Sequence, residues 1–141
     1  MFRTLDDGLL VAPQISADAV AAAAAQGVTL IINNRPDGEE AGQPSGDAIR
    51  AAAEAAGIGY VAIPVGHAGF SHPQIAAMQA ALAGADGPVL AYCRSGTRST
   101  FLWALARAQA GDPVDAIAGK AAAAGYDVAS IAPMLQALAA R

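Results

Sequence analysis

The sequence predicts an α/β domain with a mainly parallel central sheet flanked by helices. Short apolar runs rich in β-branched residues alternate with alanine-rich helical segments, and glycine, proline and helix-capping residues separate them. This alternation is typical of parallel sheets, in which a helix connects successive strands. The chain has 141 residues, of which 55% are hydrophobic and 14% charged, enough for one core. We therefore expect a single domain over residues 1–141.

Each predicted element has a local signal. Ser16 is placed to cap a helix that ends before Gly27, and Ser71 with Pro73 marks another helix start. Residues 35–46 contain too much proline, glycine and charge for regular structure. The predicted strands are 9–13, 28–34, 60–65 and 88–93; the predicted helices are 17–26, 47–56, 71–82, 99–110, one capped by Asp112 ahead of Pro113, and one from about Ser130.

Composition narrows the possible functions. A net charge of -4 and a pI near 4.8 argue against nucleic acid or an anionic membrane as a partner, because both select clustered Lys and Arg. No apolar run approaches the roughly 18 residues of a membrane span, and the opening residues lack a signal-peptide pattern, so we expect a cytoplasmic location. The lone cysteine excludes an internal disulfide, and the absence of metal-ligand spacing predicts neither metal nor cofactor.

The most informative segment is CRSGTRS, residues 93–99, at the end of the predicted strand 88–93. Gly96 permits a tight turn whose N–H groups point inward, and the start of the following helix is electropositive. With Arg94 and Arg98 nearby, this setting favours the thiolate form of Cys93, which a nucleophile requires. A space-filling role for Cys93 is disfavoured because polar and basic residues follow it. The predicted anion-binding residues are Arg94, Ser95, Gly96 and Thr97.

These residues resemble two groups of cysteine enzymes. The loop is similar to that of rhodanese-type sulfurtransferases, in which six residues starting at the cysteine cradle a persulfide. LIINNRPDGEE (30–40) and YVAIPV (60–65) resemble segments of the dual-specificity branch of the tyrosine phosphatases. The whole chain is similar to the DUF442-type phosphatase-like domains of bacterial beta-lactamase hydrolase-like proteins, described as phosphatases or sulfur transferases. The resemblance implies a tyrosine-phosphatase-like fold and, because such domains occur fused to persulfide dioxygenases, a dioxygenase as a possible partner.

Two departures from the phosphatase pattern bear on the reaction. Those enzymes place their arginine six positions after the cysteine, but here that position is Ser99 and Arg98 comes one residue earlier. The shorter loop gives a smaller ring of N–H groups, which suits a sulfur-centred group. The segment PVGHAGFSH (64–72) also lacks the aspartic general acid. His67, His72 or Asp37 could replace it, whereas sulfur transfer between thiolates needs no proton donor.

The sequence therefore favours transfer of sulfane sulfur from an anionic donor, thiosulfate or a small persulfide, through a Cys93 persulfide to a thiol or cyanide. Arg98 is expected to bind the donor. Ser99 either donates a hydrogen bond to the thiolate or caps the helix. The alternatives are hydrolysis of a phosphate ester through a phosphocysteine, and an anion-binding or redox-sensing module without catalysis.

The charged loop 35–46 is expected to lie at the same edge of the sheet as Cys93. Within it, Arg35 and Asp37 are candidates to reach the pocket, although a charge-rich loop is most often simply solvated. Glu39 and Glu40 are expected to be solvated. Tyr92 is expected in the core, and Trp103 is expected to pack behind the loop of residues 93–99.

Overall fold

The computed structural model describes residues 2–140 as a five-stranded sheet between two layers of helices. The strand order is β1-β2-β5-β3-β4, in which β1 pairs antiparallel with β2 and every other pair is parallel. The strands are β1 (Arg3–Asp6), β2 (Leu9–Ala12), β3 (Leu30–Asn33), β4 (Gly59–Ala62) and β5 (Val89–Tyr92). The predicted α/β class with a mainly parallel sheet is confirmed.

The helices begin largely where capping residues place them. The Ser16 hydroxyl accepts a hydrogen bond from the N–H of Ala19, and Ser71 forms a reciprocal capping box with Gln74. The helices are α1 (Ala17–Ala25), α2 (Gly46–Ala55), α3 (His72–Gly84), α4 (Thr97–Ala110), α5 (Val114–Ala123) and α6 (Ala132–Ala139), with a 3-10 turn (Ala129–Ile131) before α6. None of the helices within residues 2–140 is long and apolar enough to cross a membrane.

Several predicted boundaries are wrong. The strand β1 was not predicted, and α4 starts two residues before Ser99, because Gly96 in a left-handed conformation already turns the chain into the helix. Asp112 does not cap α5: its carboxylate pairs with Arg107 at 2.8 Å. The segment at Ser130 forms the 3-10 turn rather than a helix start. The predicted strands extend beyond the observed ones by one to three residues, since the apolar runs continue past the paired residues.

The core lies on both faces of the sheet. Ile31 and Leu90 face the layer of α1 and α2, whereas Ile32 and Ala91 face the layer of α3 to α6. Successive side chains of a strand point to opposite faces, so the central strands β3 and β5 are apolar at almost every position. Tyr92 is buried, as predicted. Trp103 is also buried, but it does not pack behind the loop at Cys93: its indole N–H donates to Asp6 at 3.1 Å, near the amino end of β5. The carboxyl end of β5 lies between those of β2 and β3, at the edge of the sheet from which the loops after β3 and β4 also emerge.

Candidate active site

Cys93 follows directly after β5 and is fully buried. Its Sγ accepts a hydrogen bond from the backbone N–H of Gly96 at 3.1 Å. Gly96 has φ of 91°, a left-handed conformation that costs other residues energy and brings this N–H back towards the sulfur. The loop of residues 93–99 therefore closes around the thiol; we call it the cradle.

The start of α4 adds the electropositive part of the cradle. Gly96 is the N-cap and supplies no side-chain acceptor to the first turn. The Thr97 N–H donates to the Ser95 hydroxyl at 3.4 Å, which leaves the N–H groups of Arg98 and Ser99 for an anion. The Thr100 hydroxyl donates to the Gly96 carbonyl at 2.8 Å, and the Ser95 hydroxyl lies 3.0 Å from that of Thr97. These bonds fix the loop backbone in a shape that can surround a small oxyanion.

We expect Gly96→Ala to destabilise the protein by about 2 kcal/mol and to lower turnover at least tenfold. A left-handed alanine costs about 1–2 kcal/mol, and its Cβ would overlap the Tyr126 hydroxyl. Urea denaturation and initial rates would measure both effects. Gly69→Ala is the matched control, because Gly69 also has a positive φ of 97° but has open space around it. Equal losses of turnover in the two variants would contradict a specific role for the cradle shape.

Hydrogen bonds hold the side chain of Arg98, a residue of the cradle, in a fixed orientation. Its Nη1 donates to Glu39 Oε2 at 2.7 Å and to the Val65 carbonyl at 2.6 Å, and its Nη2 donates to Glu39 Oε1 at 2.8 Å. The hydrogen bond that Arg98 donates to Glu39 raises the pKa of Arg98, and the nearby Cys93 contributes in the same direction. Glu39 and the Val65 carbonyl thus accept three hydrogen bonds from the guanidinium, and its remaining N–H groups are available to a ligand at the cradle.

Glu39 joins two arginines. Its Oε1 also accepts from Nε of Arg35 at 2.9 Å, and Arg35 is buried, with further bonds to Glu40 and Gln14. The hydrogen bond from Arg98, supported by that from Arg35, lowers the pKa of Glu39 to about 2 although burial opposes the shift. Glu39 is therefore an anion at any working pH and cannot serve as a proton donor. Its expected solvation is wrong: the side chain is only 13% exposed.

The charged loop after β3 is ordered by its own polar groups. The Asn33 side chain accepts from the Arg35 N–H at 2.8 Å, and the Gln43 amide donates to the Pro36 carbonyl at 2.9 Å. The Asp37 carboxylate accepts from the N–H of Gly46 at 2.7 Å, at the start of α2. Asp37, a candidate acid from the sequence, is thus used to close the loop, while Arg35 supports the cradle from behind Glu39.

The other candidates lie at the rim or outside it. Arg94 is 64% exposed, with Nη2 3.6 Å from Glu40 Oε2. His67 is exposed in the loop after β4, and its Nε2 lies 3.9 Å from Glu39 Oε2, at the mouth of the site. His72 is the exposed first residue of α3, and within residues 2–140 no hydrogen bond or ion pair joins it to the cradle. In the same part of the chain, no group of three or more Cys, His, Asp or Glu residues could hold a metal ion.

Ser99 takes neither of its two predicted roles. It is the third residue of α4, so it does not cap the helix. Its hydroxyl is buried and has no hydrogen-bond partner among the described residues. The side-chain oxygen of Asn34 is likewise buried without a partner, next to β5, since the Asn34 N–H donates to the Tyr92 carbonyl at 2.8 Å. Unpaired buried polar atoms of this kind are uncommon and concentrate at functional sites.

Sequence reasoning missed two contributors to the site, Glu39 and Tyr126. Glu39 could have been identified from the pattern of charges. One loop carries two acidic residues, and another loop at the same edge of the sheet carries two arginines. Tyr126 donates from its hydroxyl to the Ser95 carbonyl at 3.1 Å, across a separation of 31 residues. No local pattern around Tyr126 indicates this contact.

Comparisons with known proteins agree with this architecture. Residues 1–112 match the family model described as the phosphatase-like domain of beta-lactamase hydrolase-like proteins. The beta-lactamase hydrolase-like protein of Xylella fastidiosa (strain Temecula1) is 42% identical over 101 residues, 72% of this chain and 23% of that protein. The protein of the same name from Agrobacterium fabrum is 48% identical over 84 residues, 60% of this chain and 20% of that protein. The chain thus spans less than a quarter of the length of these relatives.

Solved structures extend the likeness to the whole chain. A provisionally assigned phosphatase from Neisseria meningitidis superimposes with a TM-score of 0.86 at 36% identity, covering 96% of both chains. Human DUSP28 superimposes with a TM-score of 0.66 at 20% identity, covering 99% of this chain and 96% of its own, which shows the shared fold. The predicted tyrosine-phosphatase-like fold is confirmed.

Proposed function

The chain belongs to the family of phosphatase-like domains of beta-lactamase hydrolase-like proteins, and from this membership we propose that it hydrolyses a small phosphate ester through a phosphocysteine at Cys93. The observation that carries the proposal is the cradle itself. The Cys93 sulfur accepts an N–H from the loop, the amino terminus of α4 lies beside it, and Arg98 is held against both. This is a site for an anion next to a nucleophile.

The reaction has two displacements. The Cys93 thiolate attacks phosphorus and the ester P–O bond breaks, so that the leaving oxygen departs with the electron pair and takes up a proton. Water then attacks the phosphocysteine, the P–S bond breaks, and inorganic phosphate and the Cys93 thiolate are released. Arg98 and the loop N–H groups stabilise the charge on the phosphoryl oxygens in both steps. His67, at the mouth of the site, is our candidate proton donor for the leaving group.

Transfer of sulfane sulfur, which the sequence favoured, stays the second candidate. The family and its structural neighbours support a hydrolase better, but two observations favour sulfur: Arg98 comes five rather than six residues after Cys93, and residues 64–70 contain no carboxylate. In this reaction the Cys93 thiolate attacks the outer sulfur of thiosulfate, the S–S bond breaks and sulfite leaves with the electron pair. The persulfide then passes its outer sulfur to a thiol or to cyanide. A dioxygenase partner stays a prediction.

One preparation assayed with two substrates tests the proposal. Hydrolysis of para-nitrophenyl phosphate with no thiocyanate formed from thiosulfate and cyanide is the expected result. Thiocyanate formation without phosphate release would replace our proposal with the second candidate. Inactivity on both substrates, together with binding of phosphate or sulfate, would instead indicate the anion-binding module.

The two arginines of the cradle should contribute unequally. We expect Arg98→Ala to lower kcat/KM about 30-fold, because it removes a fixed guanidinium beside the sulfur. Arg94→Ala should change kcat/KM less than threefold, since Arg94 is largely exposed. Steady-state kinetics on the better substrate, with circular dichroism to verify folding, measures both. Equal losses would show that Arg94 also folds over the substrate.

A further inference from the structure

Tyr126 contacts the cradle from a distant part of the chain. It lies between α5 and α6, beyond the residues 1–112 that match the family model. Its hydroxyl donates to the Ser95 carbonyl at 3.1 Å and occupies the space that a Cβ on Gly96 would need. The ring therefore covers the outer side of the Ser95–Gly96 peptide.

The geometry of one peptide unit links Tyr126 to the nucleophile. The carbonyl of Ser95 and the N–H of Gly96 belong to the same planar trans peptide, in which they point in opposite directions. Tyr126 holds the carbonyl at one end, and the N–H at the other end donates to Cys93 Sγ at 3.1 Å. Rotation of this peptide would break both bonds together.

Tyr126 is itself held in place by elements on two sides. The Arg3 guanidinium of β1 lies 5.5 Å from its ring centre and donates to the Ala124 carbonyl at 2.9 Å. The Tyr126 N–H donates to the Ala121 carbonyl, at the end of α5. Burial raises the pKa of the Tyr126 hydroxyl, which therefore remains a donor at neutral pH.

We propose that Tyr126 is a positioning residue for the reaction: by fixing the Ser95–Gly96 peptide, its hydroxyl directs the Gly96 N–H to the Cys93 sulfur. This N–H stabilises the thiolate as the attacking group and again as the leaving group when the covalent intermediate is resolved. The proposal rests on the proposed function to the extent that it assigns the cradle a reaction. The structural part of the proposal, that Tyr126 fixes the Ser95–Gly96 peptide, does not depend on which reaction takes place.

The test compares Tyr126→Phe with a matched variant, Thr29→Val. Thr29 also donates a hydroxyl to a backbone carbonyl, that of Pro88 at 3.2 Å, but at the opposite edge of the sheet. We expect the Gly96 amide of Tyr126→Phe to exchange with solvent at least tenfold faster than in the wild type, by NMR. We expect kcat to fall five- to tenfold with KM changed less than twofold. Thr29→Val should alter neither quantity more than twofold.

Two results would overturn the proposal. Gly96 exchange in Tyr126→Phe equal to that in Thr29→Val would show that the hydroxyl does not hold the peptide. Faster exchange with unchanged kcat would show that the peptide orientation is irrelevant to the reaction. A wild type without phosphatase activity would refute the proposed function instead. Exchange would then still decide whether Tyr126 holds the peptide, and kcat would be measured with thiosulfate.

Discussion

Cys93→Ser is expected to lose at least about a thousandfold in turnover while keeping its fold. A serine hydroxyl in this position is far less acidic than a thiol, so the variant lacks an effective nucleophile. The smaller oxygen still accepts from the Gly96 N–H, and the unfolding free energy should change by less than about 1 kcal/mol. Kinetics on the better substrate and urea denaturation measure the two quantities.

The same variant should also fail to form a covalent intermediate. Mass spectrometry after rapid acid quench should detect a phosphoryl or sulfur adduct on the wild type and none on Cys93→Ser. Thr29→Val serves as the control for handling and should retain both turnover and adduct. Turnover above about a tenth of the wild-type value would exclude Cys93 as the nucleophile, whichever of the two reactions takes place.

Glu39→Gln is expected to destabilise the protein by about 3 kcal/mol. The substitution preserves volume but removes the negative charge between Arg98 and Arg35, and the side chain of Arg35 is only 1% exposed. Breaking a buried ion pair from one side leaves uncompensated charge, which accounts for the size of the loss. Glu40→Gln is the matched control, since Glu40 is 46% exposed and should change stability little. Comparable losses of unfolding free energy in both variants would contradict the role of Glu39 as the carboxylate that pairs with both Arg98 and Arg35.

The pH dependence of stability gives a second measure of how much the ion pairs of Glu39 stabilise the protein. Because the pKa of Glu39 is lowered from 4.5 to about 2 in the folded protein, its stabilising effect is complete above about pH 4.5. It is lost as the pH falls towards 2, where the carboxylate becomes protonated. The difference in unfolding free energy between wild type and Glu39→Gln should therefore be constant near neutral pH and shrink below pH 4.5. A difference that does not change with pH would contradict this assignment.

The Glu39–Arg98 pair also bears on substrate choice. An arginine already paired with a carboxylate offers a dianion less net positive charge than a free one, and Arg98 has this partner in the structure. A small persulfide with a single charge is less affected than a phosphate monoester, whereas thiosulfate is a dianion and is affected to a similar extent. The pair is therefore a second reason, beside loop length, to assay both reactions in the same preparation.

The sequence alone predicted the order of the strands and helices apart from β1, and it identified Cys93 as the candidate nucleophile. Caps such as Ser16 and Ser71, and the sequence of Cys93, Gly96 and Arg98 at a strand end, act through bonds between residues a few positions apart. Local signals of this kind can be recognised in the sequence without knowledge of the rest of the chain. The α/β class and the closure of the loop around Cys93 follow from them, whereas the tyrosine-phosphatase-like fold follows from the resemblance of residues 30–40 and 60–65 to phosphatase segments.

Only the tertiary structure decided what surrounds the nucleophile. Whether Glu39 lies in solvent or between two arginines depends on how the loops after β3 and β5 meet, and that depends on β3 and β5 being neighbours in the sheet. Tyr126 reaches Ser95 only because α5 packs beside β1 and α4. Ser99, a hydroxyl with two plausible local roles, is buried without a partner instead. Contacts between segments far apart in sequence depend on packing geometry, for which composition and periodicity carry no signal.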